Sequence, residues 1–214
     1  MRQQLVEAAL IEFAAKGFDG ASTRAIAERV DAHQPQINYH FDSKEALWDA
    51  AVEHLFGLLA DALGDLPPVE DLDDPGELGR VFAEMLRRFV RFAAQHPELN
   101  RIVVQEATED SDRLRRMAER HVRPWYEAIT EAWTRLRAAG IAAPIEPASV
   151  HWVITGAASI PFVNAPEVRI LAGTDPTAPA WVEAHAEGVV ATLLPGLSPP
   201  RPTTPARRRP AAAS

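Results

Sequence analysis

The chain has 214 residues, of which 47% are hydrophobic and 24% charged, and its formal net charge is −8. This length and balance allow one sizeable domain, or a small domain fused to a larger one, and exclude a chain that is disordered throughout. The sequence has no cysteine, which excludes disulfides, thiolate zinc sites and a thiol nucleophile. Because neither a run of about 18 apolar residues nor a signal-peptide core is present, we expect a cytoplasmic protein that does not enter a membrane.

The N-terminal segment predicts a first helix with one apolar face. Leu5 and Phe13 lie on that face, together with small residues at helical spacing. Gly17 suits the left-handed conformation that ends many helices, and the following Phe18 is placed to fold back as the hydrophobic contact.

Two further short helices and a long one follow closely. Ser22 is a good N-cap for the second helix, and the third is predicted from Gln34 to Phe41, with Pro35 in its first turn, where a missing amide is harmless. Ser43 then caps a long fourth helix, whose leucines and alanines recur on one face.

The rest of the chain predicts helices only. An acidic, proline-bearing stretch at 64–75 is followed by helical patterns at about 76–95, 97–108, 111–139, 147–163 and 178–194, with a kink or break at Pro124. No strand alternation competes with them, so the predicted class is all-α with about nine helices. From Pro195 onward the sequence is rich in proline and arginine, and we predict a disordered tail over residues 196–214.

Residues 22–48, STRAIAERVDAHQPQINYHFDSKEALW, carry the clearest functional signal. Two short helices joined by a tight connection are typical of a helix-turn-helix, whose second helix enters the DNA major groove. Residues 5–48 resemble the DNA-binding domain of the TetR family of transcriptional regulators. The matching residues are Ala8-Ala9-Leu10, Phe13, Lys16-Gly17-Phe18, Ser22-Thr23-Arg24, Ile26-Ala27, Tyr39-His40-Phe41, Ser43-Lys44-Glu45 and Leu47.

The resemblance implies a DNA-binding domain at 1–46 and a helical ligand-binding and dimerisation domain at 47–195. The side-chain chemistry of the motif then divides its polar residues. Gln and Asn can bond adenine and Arg can bond guanine, so the predicted base readers are Arg24, Gln34, Gln36 and Asn38, with His33 beside them. The predicted phosphate contacts are Thr23, Tyr39, His40 and Lys44. The alternatives are packing against the first or fourth helix for the two aromatic residues, and a solvated face for the glutamines.

Three positions depart from the usual pattern of that family. Asp31 stands where the turn commonly has Gly, and it tolerates the left-handed conformation better than most residues. His33 stands where Ser is common and is a poor N-cap, so we expect the third helix to be capped by Asp31 or water, or to fray until DNA binds. Asn38 replaces a frequent aromatic residue, so the operator sequence of a relative does not transfer.

The motif is not basic. Through Trp48 the cations are Arg2, Lys16, Arg24, Arg29 and Lys44, against the acids Glu7, Glu12, Asp19, Glu28, Asp31, Asp42 and Glu45. DNA affinity should therefore depend on placed contacts and on pairing of two copies.

The two last long helices are predicted to form a dimer face and the central aromatic residues a ligand cavity. Small and apolar residues on those helices suit close approach of a second copy, through Val150, Val153, Ile154, Ala157, Trp181, Val189 and Leu193. Burial within one chain is the alternative. The predicted ligand-binding residues are Phe89, Gln105, Met117, His121, Trp125, Trp152 and Phe162, of which at least half are expected to be core.

Motifs of enzymes are missing from the sequence: there is no HExxH, no GxSxG and no phosphate-binding glycine loop. We therefore expect no catalysis, metal or cofactor. The resemblance implies a bacterial repressor that binds a palindromic operator in double-stranded DNA as a homodimer, lies on the nucleoid when bound, and is released by a small-molecule inducer. The alternative is an all-helical adaptor or a small-molecule-binding protein that does not bind DNA.

Overall fold

The computed structural model describes residues 1–197 of the chain. Within that range the fold has eleven α-helices and no strand, which confirms the predicted all-α class. The helices are α1 (Arg2–Gly20), α2 (Thr23–Glu28), α3 (Gln34–His40), α4 (Lys44–Leu63), α5 (Pro75–Gln95), α6 (Pro97–Glu106), α7 (Asp112–Met117), α8 (Arg123–Ala138), α9 (Pro147–Val163), α10 (Ala165–Ala172) and α11 (Pro179–Leu193). None of these helices is long and apolar enough to cross a membrane.

Gly17 interrupts α1 with a positive φ, as predicted, but its ψ is not that of the left-handed helical conformation, and α1 continues to Gly20. Gly17 has φ +70° and ψ 176°, a conformation that breaks the helix and that residues with a Cβ rarely adopt. Phe18 folds back beyond it, so that its ring stacks on Phe13 with centroids 6.0 Å apart. Asp31 in the turn before α3 also has a positive φ, of +52°, as expected for a residue in place of glycine.

The caps of α2 and α4 are confirmed, whereas the predicted cap of α3 is wrong. Ser22 Oγ accepts a hydrogen bond from the backbone N–H of Ala25, and Ser43 Oγ accepts one from Ala46. At the start of α3, Gln36 Oε1 accepts a 2.8 Å hydrogen bond from the backbone N–H of His33. Gln36 therefore caps the start of α3. The sequence predicted Asp31 or water in this role.

Three regions differ from the predicted elements. The connection between the last two long helices contains α10, which is too short to show a helical period and ends at Gly173 with φ +63°. The helix was expected to be interrupted at Pro124, and the interruption lies just before this residue, as a π-helical turn at Ala118–Val122. A proline ring clashes with the backbone carbonyl one turn upstream, which explains this position. Residues Pro195–Leu197, at the start of the predicted tail, form a 3₁₀ turn, and residues 198–214 lie outside the described range.

Two hydrophobic clusters hold the helices together. The first contains the buried faces of α1 to α4 and also Phe92, Leu99, Ile102 and Met117 from the following helices. The second joins α5, α8, α9 and α11 around Trp133. Because the first cluster extends past residue 46, the predicted domain boundary at 46/47 does not separate two cores.

Ion pairs fix the orientation of α11 on α5. Arg87 Nε lies 2.6 Å from Glu187 Oε1, and Arg91 Nη2 lies 2.7 Å from Glu183 Oε2. With these carboxylates turned toward α5, the valines and leucine of the adjacent face of α11 point into the second cluster.

Candidate functional site

Helix α3 presents a row of uncharged polar side chains on its outer face. Gln34 and Asn38 are exposed, and Tyr39 is 84% exposed, although it is a large aromatic residue. Ile37 is buried in the first cluster and anchors the opposite face of the helix. This arrangement leaves donors and acceptors free to reach groups outside the protein, which is what reading of base edges requires.

The remaining polar residues predicted on α3 are more constrained. Gln36 is half-buried, and its carboxamide oxygen is bonded to the His33 backbone. His40 is half-buried too, with its ring edge-on to Tyr39 at 5.0 Å. The exposed ring of His33 lies at the N-terminal end of α3, beside Gln34.

The cations predicted to contact DNA flank α3. Arg24 Nε donates a 2.8 Å hydrogen bond to Glu28, which raises the pKa of Arg24. Lys44, the first residue of α4, lies with its Nζ 4.8 Å from the centre of the Phe18 ring and 3.4 Å from the carbonyl oxygen of Asp19. Thr23 Oγ1 accepts a 3.4 Å hydrogen bond from Gln34 Nε2, which connects α2 to α3. The predicted DNA-binding residues thus lie on the first turn of α2, on α3 and the residue before it, and at the start of α4.

A buried carboxylate that was not predicted holds α1 against α2. Glu12 is fully buried, and its two oxygens lie 2.7 Å from Lys16 Nζ and 3.1 Å from Arg29 Nη2. The hydrogen bond from Lys16, supported by the one from Arg29, lowers the pKa of Glu12 against the effect of burial. The sequence signal was present, since Glu12 directly precedes Phe13 on the apolar side of α1.

An apolar cavity of about 90 Å³ lies between α4, α5, α6, α8 and α9. Two of the predicted ligand-binding residues, Phe89 and Trp125, line it. The other lining residues are Phe56, Leu59, Leu63, Met85, Leu99, Asn100, Val103, Val122, Ile129, His151, Ile154, Thr155 and Ser159.

The structure places the five other predicted ligand residues elsewhere. Gln105 reaches α1, and Met117 is packed in the first cluster. His121 stacks on Phe56 at 4.8 Å, outside the cavity. Trp152 is 64% exposed, and Phe162 is buried in the second cluster. The predicted residues include members of α5, α6, α8 and α9, which border the cavity, but none of α4. Helical position alone did not show which side of each helix faces the cavity.

His151 is one of the few polar residues that line the cavity. Its Nδ1 atom is buried and has no hydrogen-bond partner among the described residues. Desolvation by burial lowers the pKa of His151.

Helix α6 connects the cavity to the helix-turn-helix. Leu99, Asn100 and Val103 of this helix line the cavity. Near the end of the helix, Gln105 Nε2 donates a 3.2 Å hydrogen bond to the carbonyl oxygen of Ala14 in α1. A movement of α6 caused by a ligand would therefore act directly on α1.

A second contact joins the same region to the end of α1. The Arg113 guanidinium, which forms a 3.1 Å ion pair with the buried Glu106, lies 3.8 Å from the centre of the Phe18 ring. Arg113 therefore links the end of α6 to the break in α1 through a cation–π contact.

The predicted dimer residues are only partly available to a partner. Val150, Ile154, Val189 and Leu193 are buried within the chain, because α9 packs on α5 and α8, and α11 packs on α5 and α9. Ala157 and Trp181 are half-buried, and Val153 is 38% exposed. The four buried residues thus show burial within one chain, the alternative that the sequence left open.

Exposed apolar side chains lie on α9 and on the following helix α10. On α9 they are Trp152, Val153 and Ile160, with the half-buried Gly156 between them, and on α10 they are Ile170 and Leu171. We call these residues the apolar outer face. Exposed groups of large apolar residues are typical of protein interfaces.

Groups of three or more His, Asp or Glu side chains with the geometry of a metal site are absent from residues 1–197.

Comparison with known proteins matches both parts of the chain. The family model for bacterial regulatory proteins of the tetR family matches residues 5–51, and that for a tetracyclin repressor-like C-terminal domain matches residues 80–193. The biofilm operon icaADBC negative transcriptional regulator IcaR of Staphylococcus epidermidis is 30% identical over 63 residues, which are 29% of this chain and 34% of that protein. The match thus spans about a third of that regulator's length.

Solved structures share the fold over nearly the whole chain. The crystal structure of AibR in complex with isovaleryl coenzyme A and operator DNA has a TM-score of 0.64 at 20% identity, covering 90% or more of both chains (91% and 98%). A mutant of HlyIIR has a TM-score of 0.66 at 18% identity, covering 90% of this chain and 96% of the other.

Proposed function

This chain belongs to the tetR family of bacterial regulatory proteins, and from that premise we propose that it represses transcription as a ligand-released, DNA-binding homodimer. In this proposal the protein acts in the cytoplasm and lies on the nucleoid when it is bound to DNA. The observation that carries the proposal is the outer face of α3, where Gln34, Asn38 and Tyr39 are exposed while Ile37 holds the helix in place.

The apolar outer face of α9 and α10 supports pairing of two copies. A two-fold axis would bring the same residues of both copies together, and Gly156 near its middle allows close approach of the helices. The two α3 helices would then enter successive major grooves about 34–36 Å apart or somewhat more, and the operator would be a palindrome. Because the first 48 residues are not basic, binding of one copy alone should be weak.

The cavity supports control by a small molecule. Its wall includes α4 and α6, which both pack on α1, so a ligand that fits only one arrangement of these helices would change the positions of the two α3 helices. A strong shift between the two states requires a difference in ligand affinity of about 5.5 kcal/mol. The AibR structure contains a small-molecule ligand together with operator DNA, which makes the same combination reasonable here.

Footprinting of the purified protein on fragments of its own genome tests the proposal. We expect protection of a palindrome in or near its own promoter. If no palindrome is protected even at low salt, where DNA binding is strongest, the proposed function is wrong.

Replacement of Gln34 by Ala tests the role of α3 at one base. We expect the free energy of operator binding to weaken by about 1–3 kcal/mol, and the preference for one base to relax at a single operator position. The control is Gln3→Ala, in an exposed glutamine of α1 away from α3, which should leave binding unchanged. An equal loss on all DNA sequences would instead make Gln34 a phosphate contact.

A further inference from the structure

The side-chain amides of α3 are not equally free to bond DNA. The carboxamide oxygen of Gln36 accepts a 2.8 Å hydrogen bond from the backbone N–H of His33, and Gln36 is half-buried. Reading of adenine requires the oxygen and the nitrogen of one carboxamide together, since the oxygen accepts from N6 and the nitrogen donates to N7. While its oxygen is held at the start of α3, Gln36 has only its nitrogen to offer and cannot form this pair.

Gln34 and Asn38 keep both parts of their carboxamides available. Gln34 Nε2 donates one hydrogen bond, of 3.4 Å, to Thr23 Oγ1, which leaves its second N–H and its oxygen. Asn38 is exposed, and within residues 1–197 its carboxamide forms no hydrogen bond. Both side chains therefore remain able to pair with adenine by two hydrogen bonds.

The spacing of Gln34 and Asn38 limits how far apart their bases can be. The two residues are four positions apart, so they lie on one face of α3 and about 6 Å apart along its axis. Base pairs of DNA are stacked about 3.4 Å apart. A helix in the major groove therefore places the two carboxamides at base pairs no more than two steps apart.

We propose that Asn38 is a specificity-determining residue, which reads an adenine no more than two base pairs from the base that Gln34 contacts, and that Gln36 caps α3 without reading a base. The inference rests on the proposed function, because it names the residues by which the same helix selects its operator. An aromatic side chain, which is frequent at the position of Asn38 in the family, has no carboxamide and could not form this pair. The adenine preference is therefore a property of this chain and not of the family.

Binding to a set of related duplexes tests the inference. The full-length protein would be titrated with the footprinted operator and with duplexes that carry each of the other three base pairs at each half-site position. We expect a position at which any base other than adenine weakens binding about 5- to 150-fold. Asn38→Ala should remove this preference and leave the others in place. Gln34→Ala identifies the position read by Gln34 in the same way.

Two variants with the same added charge separate the roles of Asn38 and Gln36. Asn38→Asp should change the preferred base at its position from adenine to cytosine, because a carboxylate accepts from N4 of cytosine. Gln36→Glu adds the same negative charge to α3 but keeps an oxygen for the cap, so every base preference should remain. A 7-deazaadenine at the position read by Asn38 removes the N7 acceptor. It should weaken binding by the natural protein but not by Asn38→Ala.

Several results would overturn the inference: base preferences that are unchanged in Asn38→Ala, an equal loss on all duplexes in that variant, a changed base preference in Gln36→Glu, or positions for Asn38 and Gln34 more than two base pairs apart. In each of these cases the natural protein still binds its operator, so the proposed function stands. If the natural protein protects no palindrome, the proposed function itself fails, and this inference fails with it.

Discussion

Gly17 shows how one backbone conformation shapes the DNA-binding part of the chain. Its φ of +70° with ψ of 176° turns the chain at the end of α1 and lets Phe18 stack on Phe13. We expect Gly17→Ala to lower the free energy of unfolding by about 1–3 kcal/mol, because a Cβ there strains the backbone. The nearest atom to that Cβ would be Gln105 Oε1 at 3.7 Å, so strain and not collision is the cause.

The control for this prediction is Gly57, in the middle of α4. A Cβ at Gly57 would have no atom within 4 Å, and the residue has ordinary helical φ. Gly57→Ala should therefore raise the free energy of unfolding by about 0.5–1 kcal/mol. Urea denaturation of both variants measures the two effects, and a change of the same sign in both would contradict the explanation.

Glu12 is the second residue on which the stability of the DNA-binding helices α1 to α3 depends. Glu12→Gln removes the charge that Lys16 and Arg29 share, and we expect a loss of about 1–3 kcal/mol in the free energy of unfolding. Glu7→Gln, in an exposed residue of the same helix, is the control and should have little effect. Urea unfolding midpoints that are equal for the two variants would show that the buried carboxylate has no such role.

The same residue predicts a dependence on pH. Lys16 and Arg29 lower the pKa of Glu12 below 4.5 in the folded state, so the unfolded chain takes up this proton more readily. The stabilisation by Glu12 is complete above about pH 4.5 and is lost as the pH falls through the lower folded-state pKa. The difference in stability between the natural protein and Glu12→Gln should therefore shrink in acid. A difference that grows as the pH falls would reverse the sign and contradict the assignment.

Among the helices, α6 is the one that connects the cavity to the DNA-binding helices α1 to α3. Arg113 completes this connection by its cation–π contact with Phe18 and its ion pair with Glu106. We expect Arg113→Met, which keeps the length of the side chain, to leave ligand affinity nearly unchanged but to reduce the release of DNA by ligand.

The measurement is the ratio of operator dissociation constants with and without ligand. Arg115→Met is the control, since Arg115 lies two residues away and pairs with the exposed Asp110. If ligand changes the operator dissociation constant by the same factor in both variants, Arg113 does not take part in the connection.

The elements also show which features the sequence could predict. Strong local signals, such as the serine caps, Gly17 and the proline in the first turn of α3, identified helix boundaries well. Helix α10 was missed because eight residues are too few for a clear period. Gln36 was predicted as a base reader, but its spacing from His33 also fits a cap, and only the structure shows this second role.

Side-chain direction on α9 and α11 limited the prediction in a similar way. Both helices are apolar on more than one side, so their periodicity could not separate residues that face α5 and α8 from those that face outward. This is why Val150, Ile154, Val189 and Leu193 were assigned to the dimer face and are buried within the chain.

At the scale of the whole molecule, the apolar outer face predicts the state of association. We expect Val153→Glu and Ile160→Glu to convert the dimer to a monomer, because each places a charge in the centre of the contact. Ile11→Glu, at an exposed isoleucine of α1, is the matched control and should remain dimeric. Sedimentation analysis gives the mass directly, and monomers should also lose operator binding. If both interface variants remain dimeric, another surface holds the copies together.

The first hydrophobic cluster has a consequence for protein engineering. The surface of α1 is covered by Leu99 and Ile102, residues that follow the long helix α4 by more than thirty positions. A chimera that joined this N-terminal segment at residue 47 to the remainder of a distant relative would lose that cover and expose the apolar side of α1 to water. To exchange DNA specificity between such regulators, one should therefore graft the outer residues of α3 alone, or transfer α6 together with the DNA-binding helices α1 to α3.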